Sequence, residues 1–303
     1  MTEIPADFRS GYVAIIGRPN VGKSTLVNAL LQFRLSIATH KPQTTRHTIL
    51  GILNEEKAQV IFLDTPGLIQ PKYKLQEWMM KAANRAIQEA DVLLLLVEAG
   101  AAPNPHDRDL LAESATKGKP IVLAINKIDL IEKSSLLPLI EAFRSIHQPE
   151  AVVPISALQG ENLDVLKSEL LSLLPFGPPF YPQDTLTDHP ERFFVGELIR
   201  EQIFLQYGEE IPYSSTVVID EFRERPQGKD FINARIIVER DSQKKIIIGK
   251  AGQAIRRLGE KAREAIEAFL GRPVYLQLFV AVRENWRKKE NFLREFGYDL
   301  RGA

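Results

Sequence analysis

Short runs rich in apolar residues recur through the first half of the chain, at 12–16, 47–53, 58–63, 92–97, 121–125 and 151–155. Between them lie stretches with helical spacing, at 23–31, 76–89, 105–117, 136–146 and 163–174. Several of the runs are apolar at nearly every position, which predicts strands covered on both faces. Their alternation with helices predicts an α/β domain: a mostly parallel sheet with helices on both faces. The pattern breaks at Pro175-Phe176-Gly177-Pro178-Pro179-Phe180-Tyr181-Pro182. Prolines this dense continue neither a helix nor a central strand and give a semi-rigid spacer. Phe176, Phe180 and Tyr181 predict that the spacer packs on a domain. After it the order changes to a helix at 190–206, strands at 215–222 and 231–239, two helices flanking residues 249–252, a strand at 274–280 and a terminal helix at 283–298. The expected division is therefore 1–175, a linker 176–190, and an α+β domain 191–303.

Composition changes this picture little, but charge does. There is no cysteine, so neither disulfides nor a thiolate metal site hold the fold. Residues 1–10 carry Glu3 and Asp7 without an apolar core, unlike a signal peptide, and the run 92–97 is too short to span a bilayer. The 39 Lys and Arg balance 39 Asp and Glu, yet residues 223–303 hold 19 of the former and 11 of the latter. A net +8 at the back and −8 elsewhere points the C-terminal part toward a polyanion.

The most informative stretch is Gly17-Arg18-Pro19-Asn20-Val21-Gly22-Lys23-Ser24, followed by Thr25. It joins a predicted strand to a predicted helix, the context in which G-x-x-x-x-G-K-[ST] is a phosphate site. The glycines let backbone N–H groups point inward as an anion nest, and the helix adds its positive end. Lys23 brings a charge to β- and γ-phosphates, and the Ser24 hydroxyl can ligate Mg²⁺. Asp64-Thr65-Pro66-Gly67 closes the third strand. Asp64 can reach the metal there, and Gly67 can offer a backbone N–H to the γ-phosphate. Lys41-Pro42-Gln43-Thr44-Thr45-Arg46-His47 is a polar loop in which Thr44 or Thr45 could join the metal while a γ-phosphate holds the loop.

Asn126-Lys127-Ile128-Asp129 follows the fifth strand. Guanine offers two donors, N1–H and N2–H₂, which the Asp129 carboxylate accepts together; adenine cannot satisfy it. The Lys127 stem can lie over the base plane, and Ser156-Ala157-Leu158 is placed to close its other side. This motif set resembles the translation-factor-type small GTPases, and G-R-P-N-V-G-K-S, Q-T-T-R, D-T-P-G-L and N-K-I-D resemble the bacterial Era family. The resemblance implies hydrolysis of GTP to GDP with Mg²⁺ by these residues. Leu68 stands where Ras-like enzymes carry the glutamine that orients water, which implies slow intrinsic turnover. Asn20 matches an asparagine that in related GTPases helps to bind K⁺, and K⁺-stimulated hydrolysis is expected.

The element order after residue 190 is similar to a type II KH domain, with Gly249-Lys250-Ala251-Gly252 as its G-x-x-G loop. Such a loop clamps about four nucleotides of single-stranded RNA. Lys250 can meet phosphate, Lys244, Lys245, Arg256 and Arg257 surround it with charge, and Ile248 can line a groove for bases. The Era resemblance implies binding to the 3′ end of 16S ribosomal RNA, help in assembling the small (30S) subunit, a cytoplasmic monomer, and peripheral association with the inner face of the plasma membrane. Two alternatives are an RNA-binding module with a mainly structural nucleotide site and a membrane-associated cell-cycle signalling GTPase.

Overall fold

The computed structural model describes residues 5–298; residues 1–4 and 299–303, which the expected domains include, lie outside the described residues. It divides into two compact units, one formed by residues up to 70 and 79–188, the other by 71–78 and from 189 onward.

The first unit is a six-stranded sheet. Its elements run β1 (Arg9–Ile16), α1 (Lys23–Leu31), β2 (Ile49–Glu55), β3 (Ala58–Asp64), α2 (Lys74–Glu89, of which residues 79–89 fall in this unit), β4 (Val92–Glu98), α3 (Pro105–Ala115), β5 (Ile121–Asn126), α4 (Leu136–Arg144), β6 (Ala151–Pro154) and α5 (Leu163–Leu173). The strand order is β2-β3-β1-β4-β5-β6, and only the β2–β3 pair is antiparallel. β3 and β5 are buried at every position because both faces of the sheet are covered. One core, including Ile15, Phe62, Leu94 and Leu166, fills one face; the other, including Ile16, Ile61, Leu95 and Phe143, fills the opposite face. β1 lies between β3 and β4, both parallel to it, and the connections run along the sheet in opposite directions on its two sides. That switch point opens a crevice at the carboxyl ends of the strands, the place where open α/β sheets take ligands.

The proline-rich stretch lies against the first unit. Ser10 Oγ donates to the Pro178 carbonyl at 2.6 Å, the Ile52 N–H to the Leu186 carbonyl at 2.8 Å, and the Tyr12 and Phe180 rings meet edge-on. The anchor is Gln59, fully buried in β3. Its amide donates to Asn54 Oδ1 at 2.7 Å and the Tyr181 carbonyl at 2.8 Å, and accepts from the Phe180 and Tyr181 N–H groups at 2.7 and 3.0 Å. Every donor and acceptor of that side chain is used.

The second unit contains α6 (Glu191–Gln206), α7 (Ile211–Ser214), β7 (Thr216–Arg223), β8 (Asp230–Val238), α8 (Asp241–Ile248), α9 (Gln253–Leu270), β9 (Val274–Val282) and α10 (Glu290–Glu295). β8 pairs antiparallel with β7 and parallel with β9. Alternate residues of β8, namely Ile232, Ala234, Ile236 and Val238, face α6, α8 and α9 across a core that includes Val195, Ile199, Ile247, Leu258 and Ile266. The single terminal helix expected over 283–298 is not formed. Asn285 adopts a left-handed φ of 57°, a 3₁₀ turn follows at Trp286–Lys288, and α10 is only six residues long. Trp286 explains the break: it is fully buried, its indole N–H donates to the Ser214 carbonyl at 2.8 Å, and it stacks on Tyr298. Burying that ring in place outweighs helix continuity.

Replacing Gln59 with Leu should cost about 1–3 kcal/mol, because the part-buried N–H groups at 180 and 181 lose their acceptor. Urea unfolding of the full chain measures the loss, and amide exchange should accelerate first at Phe180 and Tyr181.

Candidate functional site

The turn between β1 and α1 sits at the switch point. Asn20 and Gly22 adopt left-handed backbone, with φ of 67° and 102°. A Cβ on Gly22 would lie 2.3 Å from Asn126 Nδ2, so glycine is required by space as well as by conformation. Gly22 is also the N-cap of α1 and brings no side chain to its first N–H groups, which leaves them for an anion. The Val21 side chain is packed in the core, so this residue contributes backbone alone to the turn. Thr25 follows half-buried on α1. Lys23 is buried, and its ammonium donates to the Gly17 and Arg18 carbonyls, both at 3.0 Å. Burial pushes its pKa down to about 8, opposed by the nearby Asp64 and reinforced by Arg18.

The Arg18 guanidinium points away from this cradle. It forms a two-pronged pair with Asp107 near the start of α3, Nε to Oδ1 at 2.7 Å and Nη2 to Oδ2 at 3.0 Å. Asp107 is buried, and the pair holds the Arg18 pKa above its usual value. Arg18, expected among the cofactor-binding residues, commits its guanidinium to Asp107 while its carbonyl accepts from Lys23. Asp107 was missed, although Asn104-Pro105 is a helix-start signal, and the Asn104 side chain accepts from the His106 N–H at 3.0 Å.

Three oxygen-bearing side chains meet beside Lys23. Ser24 Oγ donates to Asp64 Oδ2 at 2.9 Å and lies 2.9 Å from Thr45 Oγ1. Of the two adjacent threonines, Thr45 is the buried one and the one bonded to Ser24, whereas Thr44 is half-buried. Asp64 is fully buried; desolvation raises its pKa, against the pull of Lys23, Ser36 and Ser24. Its Oδ1 has no hydrogen-bond partner. A buried carboxylate oxygen left unpaired is costly, which fits a cation or the water on one. The donors are all hard oxygens, the preference of Mg²⁺. Among the described residues no cluster of three His, Cys, Asp or Glu side chains could hold a metal.

Residues 64–68 lie directly against the turn. The Thr65 hydroxyl donates to the Ile15 carbonyl at 2.7 Å and the Leu68 N–H to the Gly17 carbonyl at 3.2 Å. Pro66 is buried, and a Cβ on Gly67 would come within 2.7 Å of the Pro19 nitrogen. Leu68 packs on the second core face. Asn20 reaches across to the loop that carries Thr45, its amide donating to the His40 carbonyl at 2.9 Å.

The ends of β5 and β6 form the other side of the crevice. Asn126 does not point outward: its amide donates to the Val21 carbonyl at 2.8 Å and accepts from the Ala157 N–H at 2.9 Å. Lys127 has a left-handed φ of 67°, and its ammonium is paired with Glu98 at 2.9 Å, a partner that the motif gives no sign of. Asp129 is exposed, and its Oδ1 accepts from the buried Ser156 hydroxyl at 2.6 Å. Leu158 stands 75% exposed beyond Ala157. One carboxylate oriented toward solvent, one lysine stem and one apolar side chain make a slot for a planar base with two adjacent donors.

In the second unit, α8 and α9 are joined through Gly249, a 3₁₀ turn at Lys250–Gly252 and Gly252 as N-cap. Gly249 has φ 71° and ψ 179°, and a Cβ there would lie 2.6 Å from Ala254 Cβ. Lys250, Ala251, Lys245, Arg256 and Arg257 are exposed; Lys244 and Ile248 are half-buried. Ile247 belongs to the core, while neighbouring Ile246 is exposed. The loop thus presents backbone and cations together.

Comparison with known proteins matches this geometry. Residues 12–127 fit the family described as 50S ribosome-binding GTPase, and residues 210–287 fit the KH domain. The chain is 48% identical over 293 residues to the GTPase Era of Syntrophus aciditrophicus, covering 96% of each protein. It resembles the crystal structure of an Aquifex aeolicus Era variant bound to GDP and AlF4⁻, with a TM-score of 0.93 and 42% identity, over 97% of this chain and 100% of that one. A crystal structure of Era with MgGDPNP and nucleotides 1506–1542 of 16S ribosomal RNA matches with the same score, identity and coverage.

Because the Lys23 pKa lies near 8 before an anion arrives, binding of phosphates must recover a proton above that pH. GDP affinity should therefore fall as pH rises from 7 to 9. Lys23→Met should lower affinity roughly 10- to 100-fold at pH 7 and flatten the pH slope. Titration calorimetry in two buffers of different ionisation enthalpy measures both effects.

Proposed function

This chain belongs to the Era family of GTPases, and from that premise we propose that it is a GTP-driven switch that holds the 3′ end of 16S ribosomal RNA and assists assembly of the 30S subunit. It is a P-loop GTPase that converts GTP and water to GDP and phosphate with Mg²⁺. The observation that carries the reading is the corner beside Lys23 where Ser24 at the start of α1 is hydrogen-bonded both to Thr45 of the loop before β2 and to Asp64 at the end of β3. We assign residues 1–175 to hydrolysis, 176–190 to the connection and 191–303 to RNA, acting as a cytoplasmic monomer whose membrane contacts are peripheral.

The residue roles follow from chemistry. The N–H groups of residues 17–25 cradle the phosphates, and Lys23 neutralises charge that grows on the β–γ bridge as the bond breaks. Ser24, Thr45 and Asp64 would hold Mg²⁺, which supplies charge compensation across the β- and γ-phosphates. Thr45, rather than Thr44, fills that role because it is the one bonded to Ser24. Gly67 brings backbone to the γ-phosphate. Asp129, pre-oriented by Ser156, accepts from both guanine donors, with Lys127 and Leu158 over the ring. Leu68 cannot hydrogen-bond water, so intrinsic turnover is slow. Asn20, bonded to the His40 carbonyl, sits where a K⁺ ion would gather oxygen ligands.

RNA binding rests on the positive-φ turn at residues 249–252 with Lys244, Lys245, Lys250, Arg256 and Arg257 around it, and on the Era structure that holds 16S RNA. Replacing Gly249 and Gly252 together by Asp should weaken binding to a 16S 3′ fragment at least tenfold while leaving GDP affinity within twofold. Unchanged RNA affinity, read by fluorescence anisotropy, would remove the clamp. Hydrolysis measured in KCl and in NaCl at equal ionic strength should be faster in KCl; equal rates would remove the K⁺ role of Asn20.

A further inference from the structure

β4 ends on an acid that the roles above leave unused. Glu98 closes that strand, and its carboxylate meets the Lys127 ammonium at 2.9 Å. Both side chains are part-exposed, Glu98 at 39% and Lys127 at 29%. An ion pair so open to water is screened by salt and contributes little to folding.

The backbone puts the two residues together. Across the sheet Glu98 stands opposite Asn126, the residue before Lys127, and the Ala99 N–H donates to the Asn126 carbonyl at 2.8 Å. Asn126 is buried, and its amide is bonded to Val21 on one side and Ala157 on the other. Lys127 then turns out of the strand with a φ of 67°. Both ends of the lysine are thus set without a ligand: the Cα by this frame, the ammonium by Glu98. A lysine stem is long and flexible, and an unpaired one would lose much of that freedom when a base is laid against it.

Charge alone argues against an acid at this edge of the crevice. The site takes a polyanion, and a carboxylate nearby repels it. We propose that Glu98 is a positioning residue: by holding the Lys127 ammonium it sets the lysine stem in advance as one wall of the guanine slot. The inference rests on Lys127 lining that slot, the role assigned to it above. Ordering a rotamer-rich side chain is a cost of binding, and a side chain ordered beforehand avoids it. Glu98 therefore acts on nucleotide affinity and leaves the breaking bond alone.

The test measures GDP affinity and single-turnover GTP hydrolysis in the full-length protein. Glu98→Gln, isosteric but uncharged, should weaken GDP binding about 3- to 10-fold, the scale of one side chain left to be ordered. Simple charge repulsion gives the opposite sign, tighter binding. Hydrolysis at saturating GTP should stay within about twofold of wild type, on the same ground that only affinity is touched. A loss of rate alongside the loss of affinity overturns the role, because the damage then reaches the phosphate turn. In a Lys127→Ala background, Glu98→Gln should shift GDP affinity by less than about twofold, since the pair is already broken. Full additivity of the two substitutions overturns the role too, because Glu98 then acts through some other group. Unchanged or tighter GDP binding by Glu98→Gln, with weaker binding by Lys127→Ala, overturns the role of Glu98 and leaves the base slot standing. Unchanged binding by Lys127→Ala overturns the slot assignment itself.

Discussion

The buried amide of Asn126 is the joint on which the nucleotide site depends. With one end it holds the Val21 carbonyl inside the phosphate turn, and with the other the Ala157 N–H inside the loop after β6. Three segments far apart in sequence are thereby set in one geometry by two hydrogen bonds. The joint also dictates its neighbours. Gly22 must lack a Cβ because Asn126 Nδ2 occupies that space. Lys127 is forced into left-handed backbone as the chain turns away from β5. Asn126, expected among the cofactor-binding residues, spends its amide on holding the phosphate turn and the loop after β6 together.

Around that frame the site concentrates ions in a dry place. Lys23 and Asp64 are both buried, and desolvation moves their pKa values toward the neutral forms, down for the lysine and up for the carboxyl. Each is partly offset by the other, but the carbonyls and hydroxyls that surround them cannot replace full hydration. Such a corner gains most from a ligand that brings both signs of charge, a polyphosphate with its divalent ion. The second unit works in the opposite regime. Around residues 249–252, Lys245, Lys250, Arg256 and Arg257 are exposed, beside a turn held in positive-φ backbone.

Most of the fold was legible because the signals were strong: apolar runs in the buried strands and motifs at their carboxyl ends. The ends of α2, α3 and α4 shifted by two residues at most, since helix ends are set by caps and packing more than by periodicity. The terminal helix failed because a single indole, Trp286, found a buried carbonyl, and local spacing carries no trace of that partner. The phosphate turn, Asp64 and Asp129 were readable from type and spacing. Asp107 and Glu98 were not. Each acts through a residue distant in sequence, and only the sheet order brings the two together.

The pairing of Arg18 with Asp107 carries one more consequence. An arginine stands in the phosphate turn itself, yet both prongs of its fork are spent on a buried acid. The fork instead ties the phosphate turn to the first turn of α3, so a displacement of either one is carried to the other.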